Sequence, residues 1–217
     1  MNKILILNGS PKANGTIAQI LKSVKGNDIT DVNYINVYDL NINFCVGCMK
    51  CRSEGKCKTF VNDDVEMVRN LIEEASILIV GSPTYFGSMS AKLKSLFERL
   101  VPTFMAENKL GIPIRRQKNK KAIIVTSRAT RRLRYEIPEQ SVRVAANIEK
   151  ILKPAGYKVK IIEITGTGYE PNRIEMIKYG KIRINEIITG KISLYTLIKL
   201  LIIFSAFIAI LIMSFKS

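Results

Sequence analysis

The sequence predicts an α/β fold in which five strands alternate with five helices to form a parallel sheet. Short, unbroken apolar runs, as at residues 4–7 and 77–80, are typical of strands that are buried on both faces. Between these runs, apolar residues recur every three or four positions, which is typical of helices packed on a sheet. Regular alternation of the two patterns favours right-handed crossovers between parallel strands.

The predicted elements cover most of the chain. We predict strands at residues 4–7, 32–38, 77–80, 122–126 and 159–164. We predict helices, with Thr16 and either Asn62 or Asp63 as N-caps, at residues 16–24, 65–75, 89–100, 138–152 and 171–188. Residues 101–119 are predicted to be a loop. With the first strand in the centre, the strand order 2-1-3-4-5 is the flavodoxin-like arrangement, whose ligand lies at the carboxyl ends of the strands.

The loop after the first strand, residues 8–16, is predicted to bind a phosphate. It is rich in Gly, Ser and Asn and leads into a helix, so backbone N–H groups and the helix dipole point to one place. Ser10, Asn14 and Thr16 can also donate to phosphate oxygens. The loop matches neither the Walker pattern nor the dinucleotide pattern. An ordinary strand-to-helix turn is the alternative interpretation.

A second loop, residues 81–90, follows the third strand and should lie beside the first loop. Tyr85 and Phe86 offer aromatic contact to a flat heterocycle, and backbone N–H groups near Gly87 can bind its electron-rich edge. Taken alone, the same residues could form a turn that simply covers the core.

Both loops resemble those of NADPH-dependent FMN reductase-like flavoproteins, a family that includes the iron–sulfur flavoproteins. The letters NGSPKANGT at residues 8–16 are similar to the family's phosphate loop, and SPTYFGSMSAKLK at residues 82–94 to its isoalloxazine loop and following helix. The resemblance implies FMN as cofactor and NAD(P)H as electron donor. It implies a phosphate site at Ser10, Lys12, Asn14, Gly15 and Thr16, and a ring site at Pro83, Thr84, Tyr85, Phe86 and Gly87.

The loop after the fourth strand departs from the family pattern. A small, glycine-containing turn is usual there, whereas this chain has Thr126-Ser127-Arg128-Ala129 followed by further basic residues. Ser127 could still reach the ring or the ribityl chain. Arg128 either contacts cofactor or substrate, or its bulk lowers the affinity for flavin.

Four cysteines, Cys45, Cys48, Cys51 and Cys57, have the spacing C-x2-C-x2-C-x5-C. The first three match the ligand spacing of a bacterial [4Fe–4S] cluster, and the fourth could complete the same cluster. The loop also resembles the cysteine motif of iron–sulfur flavoproteins. A thiol or disulfide role and a zinc site are the alternatives.

The composition excludes several classes of function. The chain has no histidine, which excludes histidine metal ligands and Ser-His-Asp hydrolases. The net charge of +16 is concentrated at residues 109–160, which hold 15 Lys or Arg and three Glu. A basic surface could bind nucleic acid, anionic lipid or a phosphorylated cofactor, or could simply be solvated. No nucleic-acid-binding module is recognisable, so we predict no nucleic-acid partner.

Residues 192–215 are predicted to be a single transmembrane helix. Lys199 is their only charged residue, and 24 residues span about 36 Å as a helix, more than the roughly 30 Å of a bilayer core. Four basic residues precede the segment and only Lys216 follows it, which predicts a cytoplasmic main domain at the cell membrane. Residues 1–188 would be the FMN domain, with the cysteine loop 45–57 after the second strand, and residues 189–217 the linker and anchor.

The leading hypothesis is therefore a membrane-anchored, FMN-dependent NAD(P)H oxidoreductase with a small-molecule or protein redox partner. A non-catalytic electron carrier or redox sensor, and a basic membrane scaffold with a vestigial flavin fold, are the alternatives. The oligomeric state is left open, with a homodimer as the candidate assembly.

Overall fold

The structure, a computed structural model, describes residues 2–26, 28–51, 55–57, 62–108, 110, 112–130 and 140–214. Seven strands lie in the described chain: β1 (Asn2–Asn8), β2 (Thr30–Asn36), β3 (Ile77–Pro83), β4 (Met105–Glu107), β5 (Pro113–Arg115), β6 (Lys121–Ser127) and β7 (Lys158–Ile164). The main sheet has five parallel strands in the order β2-β1-β3-β6-β7. The predicted α/β class and strand order 2-1-3-4-5 are confirmed.

Seven α-helices and one short 3-10 helix, Val37–Asp39, have bounds within the described chain. The α-helices are α1 (Thr16–Leu21), α2 (Val65–Glu74), α3 (Ala91–Arg99), α4 (Val101–Phe104), α5 (Gln140–Ala155), α6 (Glu170–Thr189) and α7 (Leu194–Ser214). Two apolar clusters cover the two faces of the sheet: α2, α3 and α5 contribute to one, and α1 and α6 to the other. The sheet is therefore buried on both sides, as its unbroken apolar strands require.

Three local predictions need correction. Residues 101–119 are not a plain loop, because α4 is followed by an antiparallel pair, β4 (Met105–Glu107) and β5 (Pro113–Arg115). The second strand begins and ends two residues earlier than predicted. The N-cap of α1 is Gly15 rather than Thr16, and that of α2 is Asp64 rather than Asn62 or Asp63.

Glycines allow the first loop to lie directly against the third strand. The N–H of Gly9 donates to the carbonyl oxygen of Gly81 over 2.8 Å. A Cβ at Gly9 would come within 2.9 Å of that oxygen, and a Cβ at Gly81 within 2.6 Å of Ile17. Real Cβ atoms do not approach so closely, so both positions need glycine if the first loop is to reach the edge of the sheet.

Helix α7 exposes apolar side chains along its described part. Eight of them between Leu194 and Phe204 are 44–72% exposed. Within the described chain, no single helix has both the length and the apolar character needed to cross a membrane. Helix α6 and residues 194–205 meet these two requirements only when taken together, as a pair bent by 108°. The transmembrane segment at residues 192–215 stays a prediction, and Phe215 lies outside the described residues.

Candidate functional site

A cavity of about 520 Å³ lies at the carboxyl ends of the strands, and we call it the carboxyl-edge cavity. The ends of β1, β3, β6 and β7 all lead into it, as expected for a parallel sheet of this order. Nine of the eleven predicted cofactor residues line it: Ser10, Lys12, Asn14, Gly15, Thr16, Pro83, Thr84, Tyr85 and Ser127.

Hydrogen bonds hold the first loop in shape. The N–H of Ser10 donates to Asn8 Oδ1 over 3.1 Å, and the N–H of Lys12 donates to Ser10 Oγ over 3.3 Å. The carbonyl oxygen of Ala13 accepts from Lys22 Nζ over 2.9 Å, and that of Asn14 accepts from Gln19 Nε2 over 2.7 Å. Because these oxygens accept hydrogen bonds from an ammonium group and an amide group, they repel an incoming anion less.

The helix behind the loop is shorter than predicted. It has six residues, which makes its dipole a small part of any anion site. Cationic side chains therefore matter more, and three of them line the cavity: Lys12, Arg128 and Arg173. Arg173 lies near the start of α6, where it forms an ion pair with Glu170 at 2.9 Å. Its Nη2 also donates to the carbonyl oxygen of Asn14 over 3.3 Å.

The second loop turns back on itself in a two-residue hairpin. The backbone groups of Tyr85 and Ser88 exchange hydrogen bonds of 3.0 and 2.9 Å, and both turn residues have positive φ, 48° at Phe86 and 72° at Gly87. Phe86 is fully exposed at the tip, and neither Phe86 nor Gly87 lines the cavity. Burial raises the pKa of the half-exposed Tyr85, which faces the cavity as a neutral phenol.

Hydrogen bonds join the loops after β3, β6 and β7 into one wall of the cavity. The N–H of Thr84 donates to the carbonyl of Ser127 over 2.8 Å. The carbonyl of Arg128 accepts from both the N–H and the hydroxyl of Thr167, at 3.1 and 3.0 Å. Arg128 is 8% exposed and lines the cavity.

Sequence reasoning missed part of this wall. Ala129, Thr167, Gly168 and Arg173 also line the cavity. No local motif marks these residues. The available signal was topological, because the loop after β7 must open at the same edge as the loops after β1, β3 and β6.

The four cysteines line a second cavity of about 170 Å³, the cysteine cavity. Cys45 and Cys48 are exposed, and Cys51 and Cys57 are half-buried. Burial raises the pKa of the Cys51 thiol, and the neighbouring cysteines, Cys57 first, raise it further. The motif thus places all four cysteines in the lining of one cavity at the surface of the protein.

A buried arginine supports the cysteine cavity from below. Arg99, at the end of α3, pairs with Asp63 at 2.6 Å, and both side chains are at most 2% exposed. Its Nε also donates to the Cys57 sulfur over 3.1 Å, and its Nη1 to the carbonyl of Asn43 over 2.9 Å. One guanidinium therefore fixes both ends of the cysteine loop and the start of α2.

Four thiols are the donor set of a [4Fe–4S] cluster, so the chemistry of the cysteine cavity fits such a group. The positions of the side chains fit a metal site less well than their chemistry does. Among the described residues, no three Cys, Asp or Glu side chains are grouped closely enough to hold a metal ion. Parts of the loop, residues 52–54 and 58–61, lie outside the described chain.

The sequence of this chain is similar to those of known flavoproteins. The family model of NADPH-dependent FMN reductase matches residues 2–136. The chain is 35% identical over 116 residues to an iron-sulfur flavoprotein of Methanocaldococcus jannaschii, covering 50% of this chain and 58% of the relative. It is 33% identical over 102 residues to an iron-sulfur flavoprotein of Clostridioides difficile, covering 44% of each. The chain thus spans about half the length of the curated relatives it matches.

Solved structures confirm the flavodoxin-like fold. An FMN-dependent NADH-azoreductase from Bacillus anthracis, in complex with FMN, superposes with a TM-score of 0.67 over 87% of this chain and 99% of that protein. The two sequences are 14% identical, so the similarity is one of fold.

Proposed function

Because this chain belongs to the NADPH-dependent FMN reductase family, we propose that it is an oxidoreductase that binds FMN in the carboxyl-edge cavity and uses NAD(P)H as donor. The observation that carries the proposal is the cavity itself, where a polar, cationic loop meets an aromatic loop at one edge of the sheet. Bound FMN supplies hydride and single-electron transfer chemistry. A protein without histidine can therefore support the reaction, because no side-chain acid or base is compulsory.

The proposal gives each group of residues a role. Ser10 and Thr16 would donate to the phosphate through their hydroxyls, and Lys12 and Arg173 would balance its charge. Pro83 to Tyr85 and Ser127 would orient the ring against the wall that the loop hydrogen bonds hold together. Arg128, buried at the same wall, would face the bound molecule with a positive charge.

Titration of the purified protein with FMN tests the phosphate site. The double variant Ser10→Ala, Thr16→Ala should bind FMN more weakly by about 2 kcal/mol or more, because two charge-assisted hydrogen bonds are lost. Ser23→Ala is the matched control, since that hydroxyl donates to the carbonyl of Ile20 and lies outside the cavity lining. Unchanged affinity in the double variant would show that the phosphate binds elsewhere.

We further propose that the cysteines hold a [4Fe–4S] cluster, which would exchange electrons with FMN. The support is the shared cavity of four thiols and the name of the iron-sulfur flavoproteins that the chain resembles. Anaerobic purification followed by iron and sulfide analysis tests this, with Cys48→Ser as the comparison. A colourless apoprotein without iron or sulfide would favour the thiol or disulfide alternative.

We also propose that the protein is held at the cell membrane by residues 192–215, with the flavin domain in the cytoplasm. The support is the exposed apolar surface of α7, since solvated helices rarely present so many apolar side chains in succession. This observation also favours the second candidate function, a flavoprotein electron carrier or redox sensor that serves a membrane partner. Fast NAD(P)H oxidation with a free quinone would favour the enzyme. Slow turnover with fast reduction of a partner would favour the carrier.

A further inference from the structure

A third cavity lies at the opposite edge of the sheet, where the strands begin. It has a volume of about 210 Å³, and we call it the amino-edge cavity. It combines charged and apolar residues: Ile77, Lys121, Ala122, Ile123, Lys158, Lys160, Ile187 and Ile188. A neighbouring cavity at the same edge shares Ile188 and contains Lys25.

Three lysines converge on this cavity from two neighbouring strands. Lys121 of β6 and Lys158 of β7 are direct partners in the register of the sheet, and Lys160 follows on the same face of β7. Like charges placed directly opposite each other destabilise a sheet. In the part of the chain that the structure describes, no salt bridge pairs any of the three with a carboxylate. An anion bound between them would relieve the repulsion.

The rest of the lining is apolar. Ile123 is 1% exposed and Ile77 is 8% exposed, so both form a closed floor at the base of the lysines. Ile187 and Ile188, in the last turn of α6, are partly buried and pack on the same apolar cluster. An inorganic anion would use only the lysines, whereas an anion that carries a hydrocarbon chain would contact both surfaces.

The cavity also lies where α7 leaves the domain. The Glu186 carboxylate precedes Ile187 directly and accepts three hydrogen bonds from the start of α7: 2.9 Å from the N–H of Ser193, 2.6 Å from its hydroxyl and 2.6 Å from the Thr196 hydroxyl. Glu186 is buried, so this junction is firmly held. The exposed apolar side chains of α7 therefore begin a short way along the chain from Ile187 and Ile188, which line the cavity.

We propose that the amino-edge cavity binds an acidic membrane lipid, with its phosphate among Lys121, Lys158 and Lys160 and its acyl chain against Ile187 and Ile188. The inference rests on the proposed membrane association of α7. Lysines beside anionic lipid headgroups attract them, and the effect adds up over several side chains. The bilayer would then face the amino edge of the sheet.

Native mass spectrometry of the full chain in a neutral detergent tests the proposal. Phosphatidylglycerol should be retained in a one-to-one complex, and phosphatidylcholine should bind about tenfold or more weaker. The triple variant Lys121→Gln, Lys158→Gln, Lys160→Gln should lose the preference for phosphatidylglycerol. Lys94→Gln, Lys150→Gln, Lys153→Gln removes the same charge from exposed helix positions and should keep it.

Two further measurements distinguish a lipid headgroup from free inorganic phosphate as the anion that binds. Affinity for phosphatidylglycerol should rise with acyl chain length, and inorganic phosphate should displace it only weakly. Equal affinity in the triple variant and its control, or displacement by inorganic phosphate as effective as by lipid, would overturn the proposal. Flotation of the same samples with neutral vesicles reports on α7, and their flavin absorbance reports on the carboxyl-edge cavity, so failure of either proposed function is recognised separately.

Discussion

Breaking the ion pair beneath the cysteine cavity should cost more stability than breaking any other ion pair in the described chain. Arg99 and Asp63 lie 2.6 Å apart with side chains 1% and 2% exposed. Removing one member of such a pair leaves the other charge buried, which typically costs about 3–5 kcal/mol. We therefore expect Asp63→Ala to lower the free energy of unfolding by an amount in that range.

The arginine cannot avoid this cost by losing its proton. Burial lowers the pKa of Arg99, but hydrogen bonds to Asp63 and Cys57 outweigh burial and raise the pKa above its usual value. Arginine is in any case protonated at every ordinary pH. The Asp63→Ala variant must therefore hold a cation in the interior without its carboxylate partner, although the carbonyl of Asn43 and the Cys57 sulfur still accept hydrogen bonds from it.

Urea unfolding followed by circular dichroism, in a mild nonionic detergent, measures the effect. Lys94→Ala is the control, because Lys94 is on the same helix and its pair with Glu98 is about half exposed. That variant should cost about 0.3–0.5 kcal/mol. The double variant Asp63→Ala, Arg99→Met should recover part of the loss, since it removes the buried charge as well. A cost for Asp63→Ala no larger than that of the control would refute the reasoning.

Three other predictions concern single groups. Burial raises the pKa of Glu186, but hydrogen bonds from Ser193 and Thr196 outweigh it and lower the pKa from 4.5 to about 2. The advantage of wild type over Glu186→Gln in urea unfolding should therefore be full above pH 4.5 and vanish as the pH falls towards 2. Phe86→Gly should raise the melting temperature, by a stabilisation of about 1 kcal/mol, because an exposed residue with positive φ is strained; a decrease would mean that the ring is packed. Tyr157→Phe should leave the free energy of unfolding within about 1 kcal/mol or raise it, because the buried hydroxyl has no hydrogen-bond partner among the described residues; a larger loss would reveal one.

The main sheet could be predicted because its strands are marked by local composition. All five predicted strands agree with the structure to within three residues at each end. The first and third are unbroken apolar runs that end at a turn, which makes them easy to recognise. The second strand alternates polar and apolar residues at one edge of the sheet, where the pattern fits more than one register. The pair β4–β5 was missed because strands of three residues are too short to show a period.

The site could be predicted only where one loop carries its own pattern. Lys12 and Tyr85 belong to loops with a recognisable sequence motif, and both residues line the carboxyl-edge cavity. Arg173 reaches the first loop from a helix 159 positions away, and Arg99 reaches Cys57 across 42 positions. Contacts of this kind depend on how helices pack, and no local pattern in the sequence encodes them.

The topology has a consequence for how electrons would reach and leave the protein. Helix α6 begins at the carboxyl-edge cavity, which Arg173 lines, and ends at the amino-edge cavity, which Ile187 and Ile188 line. Helix α7 therefore departs from the edge opposite the carboxyl-edge cavity. Strands of seven residues separate the two edges by roughly 20 Å. With α7 and the lysines held at a bilayer, the cavity opens towards water. Protein in phosphatidylglycerol vesicles should therefore reduce a water-soluble quinone much faster than a long-chain quinone dissolved in the bilayer. Faster reduction of the long-chain quinone would mean that the cavity faces the membrane, and that the amino edge does not.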